Sequence, residues 1–434
     1  MQQVNLGMIG GGTVGSGVFH ALQLNGGLMA SRIGVKVGVR KVAVKAFDEP
    51  RPYPISRSLM TTDWQTVVND PQVDMVSELV GGTGLARIVI LTAIALGKPV
   101  ITANKALLSA HGEELFAAAK KHGSNLYYEA SVCGGIPIIK SLREGFVGNR
   151  INALYGIVNG TCNYILTRMK LEGADFTTVL ADAQKHGYAE TPPDLDIDGH
   201  DAAHKIGILA SLAHGFWVNP KKIHVEGIRH ISALDIQFAE KLGYTIKLLG
   251  IIKKVGTGCH VQVSVYPTLV PNTHVLASVN HVFNAVFVRG DIVGDTLFYG
   301  RGAGKDATAS AVLSDLADAA LDLKSGTKQR VPPFVPHEGS GAVIPMDDVV
   351  SQYFVRLSVV DRPGTLAKIA AIFGAAKIGI SSVIQPEGHE GKSVPLIFML
   401  HYATNGAVKK AFNQIAKLPV IKDKPVMIRV ENFE

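Results

Sequence analysis

The sequence predicts a mixed α/β chain in three parts: an N-terminal doubly wound parallel sheet, an α+β domain and a C-terminal βαββαβ module. Three observations carry that prediction. A glycine turn, Gly10-Gly11-Gly12-Thr13-Val14-Gly15, follows an apolar strand at residues 4–9 and opens a helix through about Leu24. Strand–loop units recur over residues 73–137 and then give way to helices and β-rich stretches. Behind a segment rich in Pro, Gly and polar residues, residues 350–434 alternate strand and helix in the order β, α, β, β, α, β.

The chain has 434 residues, enough for two or three domains with substantial cores. It is 47% hydrophobic and 18% charged, an ordinary enzyme profile. The net charge of +7 is scattered, and the short runs Lys120–Lys121 and Lys221–Lys222 lack interleaved aromatics, which argues against a nucleic-acid partner. The longest apolar run, Ile88–Leu96, is too short to span a bilayer, and no signal peptide is evident, so no membrane role is expected. Three cysteines, Cys133, Cys162 and Cys259, without CxxC spacing fit neither a zinc site nor a disulfide framework, and agree with a reducing cytoplasm.

In chain order, the glycine turn comes first. Gly10, Gly12 and Gly15 form GxGxxG directly after a strand, and Thr13 and Val14 open the helix. Glycines so placed allow a tight turn and close approach to a pyrophosphate at the helix N-terminus, the fingerprint of a Rossmann-type dinucleotide fold. The second strand is expected over 39–47 and carries Lys45 near its end, with Arg57 nearby. Positive charge at this place favours a 2′-phosphate, hence NADP over NAD, while Asp48 leaves a ribose contact open. The strand at 73–82 brings Glu78, Gly81 and Gly82 to its end, and residues 98–109 bring Asn104 and Lys105 to another. Ligands in such sheets bind beyond the carboxyl ends of the strands, so Lys105 falls where a nicotinamide would lie. A strand and flexible turn over 127–137 lead to expected helices at 138–147, 163–170, 176–186 and 201–214, then β-rich segments at 246–267 and 282–298. Gly302 belongs to a glycine turn whose helix, to about residue 320, could return to the nucleotide domain.

The sharpest chemistry lies in residues 194–210. Asp201 and Lys205 are four apart and share one helix face. Such a pair is commonly a solvated surface pair, but this helix continues IGILASLAHGFW, apolar on nearly every side. Glu190, Asp194, Asp196 and Asp198 precede the pair, giving an acidic pocket mouth with a lysine inside. That combination suits a substrate with an ammonium group and a reducible carbonyl. A calcium loop is excluded, because Lys205 stands where a bidentate glutamate is required. His200, His204 and His214 read as cap or packing residues. Asn159 and Thr161, in Asn159-Gly160-Thr161, read equally as substrate-positioning groups or as a helix cap.

With these segments together, residues 1–325 resemble homoserine dehydrogenase. The resemblance rests on GGGTVG (10–15), ELVGG (78–82), TANKALL (102–108), SVCGGIPII (131–139), GIVNGTCNYIL (156–166), DLDIDGHDAAHK (194–205) and GRGAG (300–304). Residues 350–434, with Asp361-Arg362-Pro363-Gly364 before the first helix, resemble an ACT regulatory domain. The resemblance implies NAD(P)-linked interconversion of L-aspartate 4-semialdehyde and L-homoserine, on the branch toward threonine, methionine and isoleucine. It implies Lys205 and Lys105 as catalytic lysines, with Asp201, Asp196 and Glu190 lining the amino-acid site and Asn159, Gly160 and Thr161 positioning substrate. Glu129 with the carbonyls of Val132, Gly134 and Ile136 matches a monovalent cation site for Na or K. An amino-acid effector, L-threonine, would bind near Asp361 and Gly364, and a homodimer or homotetramer is implied. The division is then 1–130 nucleotide-binding, 131–299 substrate-binding and dimerisation, 300–325 returning helix, 326–349 linker and 350–434 regulatory. Lys305-Asp306 and Cys133 depart from the family pattern.

Two other readings compete: a Rossmann oxidoreductase for a different amino-acid aldehyde or keto acid, and a non-enzymatic amino-acid sensor. The NGTCNYIL and DAAHK segments argue against the first, and the presence of Lys105, Asp201 and Lys205 against the second.

Overall fold

Strand Gln2–Ile9 lies inside a six-stranded, all-parallel sheet. Its neighbours are Val35–Ala43 on one side and Met75–Glu78 on the other, the point where strand order reverses. The order is completed by Met60–Thr61 at one edge, and by Val100–Thr102 and Leu126–Tyr127 at the other. The computed structural model describes residues 1–386 and 393–433. The chain forms two units: Met1–Val158 with His204–Lys221 and Phe283–Gly341, and Asn159–Ala203 with Lys222–Val282 and Ala342–Glu434.

In the first unit, the helix after the glycine turn runs over Thr13–Ile33, past its expected end at Leu24. Gly26 and Gly27 each cost about 1 kcal/mol relative to Ala in a helix interior, but the helix passes through them because buried Val18, Phe19, Leu22 and Ala30 anchor it on the core. It stops where Gly34 takes φ 70° and returns its N–H to the Ala30 carbonyl. The second strand ends at Ala43 rather than residue 47, since buried Val35 and Val37 supply its pairing register, so Lys45 lies beyond the strand and exposed. Helix Lys305–Ser325 packs Ala309, Val312, Leu316 and Ala320 into the same core as Val18 and Phe19. The two helices meet closely at Gly17, where a Cβ would stand 3.0 Å from the Lys305 carbonyl oxygen.

The helix expected at 138–147 is a short α turn, Ile138–Lys140, followed by a π turn at Ser141–Gly145 that Phe146 N–H closes on Ser141. Ile151–Ile157, Phe283–Gly290 and Gly294–Arg301 form antiparallel pairs in this unit. Residues 326–341 are less of a free tether than their composition suggests. Tyr128 donates to the Pro333 carbonyl, Arg143 to those of Val331 and Pro332, and Gln329 to that of Ser124.

The second unit is built on one sheet. Tyr244–Val255 and His260–Pro271 form a long hairpin, and Val426–Val430 pairs parallel to His260–Pro271 at Thr268↔Arg429. Val350–Val360, Ser393–Thr404 and Ile380–Ile384 follow antiparallel. The C-terminal segment therefore has the order β, α, β, β, α, β, with its helices Thr365–Ala375 and Asn405–Ile415 covering Tyr353, Val355, Leu357 and Phe398. The sequence suggests an independent module, but its last strand extends the hairpin sheet directly. Helix Gly160–Glu172 begins three residues earlier than expected, because Asn159 caps it. Among the described residues no helix is long and apolar enough to cross a membrane.

Candidate active site

The glycine turn of the first unit is shaped by close approaches. Gly10 takes φ 109° with a Cβ position 2.6 Å from Leu79, and a Cβ on Gly15 would stand 2.0 Å from the Gly10 carbonyl oxygen. A Cβ on Gly12 would meet nothing within 4 Å, so this face is open at the N-terminus of the Thr13–Ile33 helix, where free N–H groups favour an anion.

Next to it, Glu78 organises the neighbouring loop. Its buried carboxylate accepts from Val80 N–H at 2.9 Å, Gly81 N–H at 3.2 Å and the Thr102 hydroxyl at 2.7 Å. Burial raises its pKa, and these hydrogen bonds oppose the rise. Gly81 and Gly82 follow with φ near 70°, and the Gly82 carbonyl accepts from Asn104. Asn104 caps the helix Lys105–His122 through Leu107 N–H, which places half-buried Lys105 at the first helical position. The sequence placed Glu78 at a strand end without a role; its function as the loop's acceptor needs the three donors in space.

Lys45 and Arg57 are exposed, and Arg57 lies 3.4 Å from Asp48 and over the Phe47 ring. Gly302 is required by packing, since a Cβ there would fall on the Asn284 amide. The departure at Lys305-Asp306 has a structural partner: the Tyr53 hydroxyl donates to Asp306, Lys305 lies over the Tyr53 ring, and that ring stacks on His20.

Glu129 is buried, and its two carboxylate oxygens accept from Ile139 N–H at 3.0 Å and Lys140 N–H at 2.7 Å. Burial pushes its pKa to about 7. Asp315, which accepts from Glu129 N–H, is raised well above its usual range by burial and then by Glu129. Glu129 alone, as a carboxylate beside the turn that starts at Val132, would match a monovalent cation in charge. Glu129 retains lone pairs for one, but the Ile136 carbonyl already accepts from Ile138 N–H at 2.8 Å. Among the described residues, no cluster of three or more His, Cys, Asp or Glu suits a metal.

The second unit holds the amino-acid candidates. Asn159 has two jobs: its side-chain oxygen caps the helix at Cys162 N–H, and its NH2 donates to Asp196 at 2.8 Å and to Asp201 at 2.9 Å. The single Thr161 hydroxyl proton lies between the Tyr188 carbonyl at 2.7 Å and the other oxygen of Asp196 at 3.2 Å. One amide thus clamps two carboxylates, of which Asp201 is 5% exposed. Gly160 is the first residue of that helix, and Glu190 is exposed. The acidic mouth is narrower than the sequence suggests, because Arg229 pairs with Asp194 and Asp198. Arg229 lies 31 residues from Asp198, so its pairing is invisible to local spacing.

Asp201 and Lys205 lie on the same helix, His200–His214. Lys205, in the first unit, is buried and donates to the Val158 carbonyl at 2.7 Å. A buried ammonium held by a backbone carbonyl is pre-aimed and costs little to orient. In the C-terminal segment, Gly364 takes φ 82° at the start of helix Thr365–Ala375, and Asp361 accepts from Gln385.

The family model for homoserine dehydrogenase matches residues 137–317, and the model for the NAD binding domain of homoserine dehydrogenase matches residues 10–129. Homoserine dehydrogenase of Pseudomonas aeruginosa is 42% identical over 440 residues, covering 100% of both chains. The crystal structure of a homoserine dehydrogenase from Thiobacillus denitrificans superposes with a TM-score of 0.93 at 40% identity, covering 100% of this chain and 99% of that one. A hyperthermophilic archaeal homoserine dehydrogenase in complex with NADPH shares the fold, with TM-score 0.62 and 24% identity over 74% of this chain and 98% of its own. The chain belongs to the homoserine dehydrogenase family, oxidoreductases that act between L-aspartate 4-semialdehyde and L-homoserine on a nicotinamide-binding α/β fold.

Proposed function

We propose that this chain reduces L-aspartate 4-semialdehyde reversibly to L-homoserine, with Lys205 as principal proton donor and Lys105 as its partner. The cofactor, when bound, supplies the hydride that adds to the aldehyde carbon. The protein's own groups do the rest. Lys205 stabilises the developing alkoxide and delivers the proton that completes the alcohol. Asp196 and Asp201, clamped by Asn159, hold the substrate ammonium, with Glu190 and Thr161 at the rim. Gly10, Gly12 and Gly15 cradle the pyrophosphate, and Lys45 and Arg57 recognise a 2′-phosphate, which favours NADP. Glu129, with the carbonyls of Val132 and Gly134, holds Na or K and orders the following turn. The observation that carries the reading is the buried Lys205, fixed on Val158, one residue before the amide that joins Asp196 to Asp201. The test is oxidation of L-homoserine followed at the nicotinamide absorbance with NAD and NADP in parallel. Absence of turnover with either, in folded protein supplied with potassium, would sink the reading.

The C-terminal segment serves, in this proposal, as an ACT-type regulator that binds L-threonine between paired modules, which would extend a homodimer built on the β-rich part of the substrate domain to a homotetramer. Gly364 lets the ligand approach the backbone, where a Cβ would meet nothing within 4 Å. Gly364→Ala should weaken threonine inhibition while homoserine turnover persists; threonine that never inhibits the intact enzyme would refute the regulatory part.

A further inference from the structure

Arg429 is 1% exposed, and burying a guanidinium demands a partner. Its two terminal nitrogens grip the Glu226 carboxylate at 2.9 Å each, and one also donates to Asn405 at 2.7 Å. Its guanidinium lies 4.4 Å from the Tyr266 ring centroid. Glu226 carries a second cation-capable partner, His224, at 2.7 Å. These contacts hold its carboxyl far below the usual range, against the cost of burial.

The residues directly after Glu226 hold the acidic turn. Gly227 packs so tightly there that a Cβ would stand 2.2 Å from the Ile197 carbonyl oxygen. Ile228 N–H donates to that same oxygen at 2.8 Å, and Arg229 forks onto Asp198 and Asp194. Asp196 is the residue before Ile197 and accepts from Asn159. A continuous set of contacts therefore leads from the last strand of the C-terminal segment to the carboxylate pair.

We propose that Arg429 is a positioning residue for the amino-acid site: through Glu226 it fixes the 226–229 segment, and with it Asp196, for binding the substrate ammonium. The inference rests on the reading that Asp196 and Asp201 hold that ammonium. It gives the C-terminal segment a part in substrate affinity even without an effector.

The test uses full-length enzyme in homoserine oxidation, comparing Arg429→Met, Arg429→Lys and the double variant Arg429→Met with Glu226→Gln, which leaves no unpaired buried charge. Asp196→Asn is the reference. Arg429→Met should raise the KM for homoserine about tenfold, with the KM for NADP unchanged and kcat little altered. Arg429→Lys should lie between, since it keeps charge but not the two-pronged geometry. Where Arg429→Met fails to fold, the double variant decides. A folded double variant with wild-type KM for homoserine would overturn the proposal, as would an equal rise in both KM values. If Asp196→Asn raises the KM and the double variant does not, this inference alone falls. If Asp196→Asn itself leaves the KM unchanged, the ammonium reading falls and takes the inference with it.

Discussion

The Lys205 ammonium donates to the Val158 carbonyl oxygen at 2.7 Å, so a buried cation is anchored to the backbone just before the Asn159 cap. Lys205→Ala should remove both the proton and the charge proposed to act on the substrate carbonyl. The expected loss in kcat is about 10²–10⁴-fold, with cofactor binding retained, as steady-state rates and NADPH fluorescence titration would register. Lys205→Arg keeps charge but delivers no proton, and should recover little.

Asn159→Ala removes two hydrogen bonds to carboxylates and a helix cap at once. Asp196 and Asp201 would lose their shared donor, and the KM for homoserine should rise by about tenfold or more, since one hydrogen bond to a charged group contributes about 1.5–3 kcal/mol. Asn159→Ser, which preserves a cap but not the clamp, separates the two roles. It should restore thermal stability and leave the KM high.

Exchanging Lys45→Glu together with Arg57→Ala should turn the cofactor ratio toward NAD. Loss of one charged contact to a 2′-phosphate corresponds to about tenfold in kcat/KM for NADP, while the value for NAD should hold. A ratio that does not move would place phosphate recognition elsewhere.

Lys247 is 1% exposed and donates to the Asn163 side chain, the Val279 carbonyl and the Asn280 side chain. Burial, with Lys170 adding a smaller repulsion, lowers its pKa to about 7. Between about pH 7 and the unfolded lysine value near 10.4, the unfolded chain binds the proton that the folded chain has shed. Stability from this group therefore rises with pH across that window. Thermal melts at pH 6 and pH 9 should show the wild type gaining relative to Lys247→Met as pH rises.

Glu129→Gln should blunt any dependence of activity on sodium or potassium, because it removes the charged ligand proposed for that cation. Turnover measured against potassium concentration, with a bulky organic cation keeping ionic strength constant, reads this directly. An unchanged potassium response would move the cation elsewhere.

The parallel sheet was legible because its signals are local: a strand, three glycines and a helix start within fifteen residues. Its boundaries were less so, since the reach of Thr13–Ile33 through Gly26 and Gly27 depends on the distant core that anchors the helix. The Asp201–Lys205 pair was legible from helical spacing on an apolar helix. Asn159 left a choice between cap and clamp that no spacing resolves, and the structure shows both roles in one side chain. Arg229, Lys247 and the Arg429–Glu226 pair were silent, because Arg229 reaches Asp198 across 31 residues, Lys247 reaches Asn163 across 84 and Arg429 reaches Glu226 across 203.

The sheet shared by His260–Pro271 and Val426–Val430 bears on how the proposed regulatory segment could be disabled. Cutting the chain before residue 350 would strip a hydrogen-bonding neighbour from a long, largely apolar strand and invite edge-to-edge aggregation. It would also strand Glu226 and Asp235, whose partners Arg429 and Arg356 lie beyond the cut. The proposed threonine response is therefore better removed through single substitutions on the exposed side of the C-terminal helices than through a shorter gene.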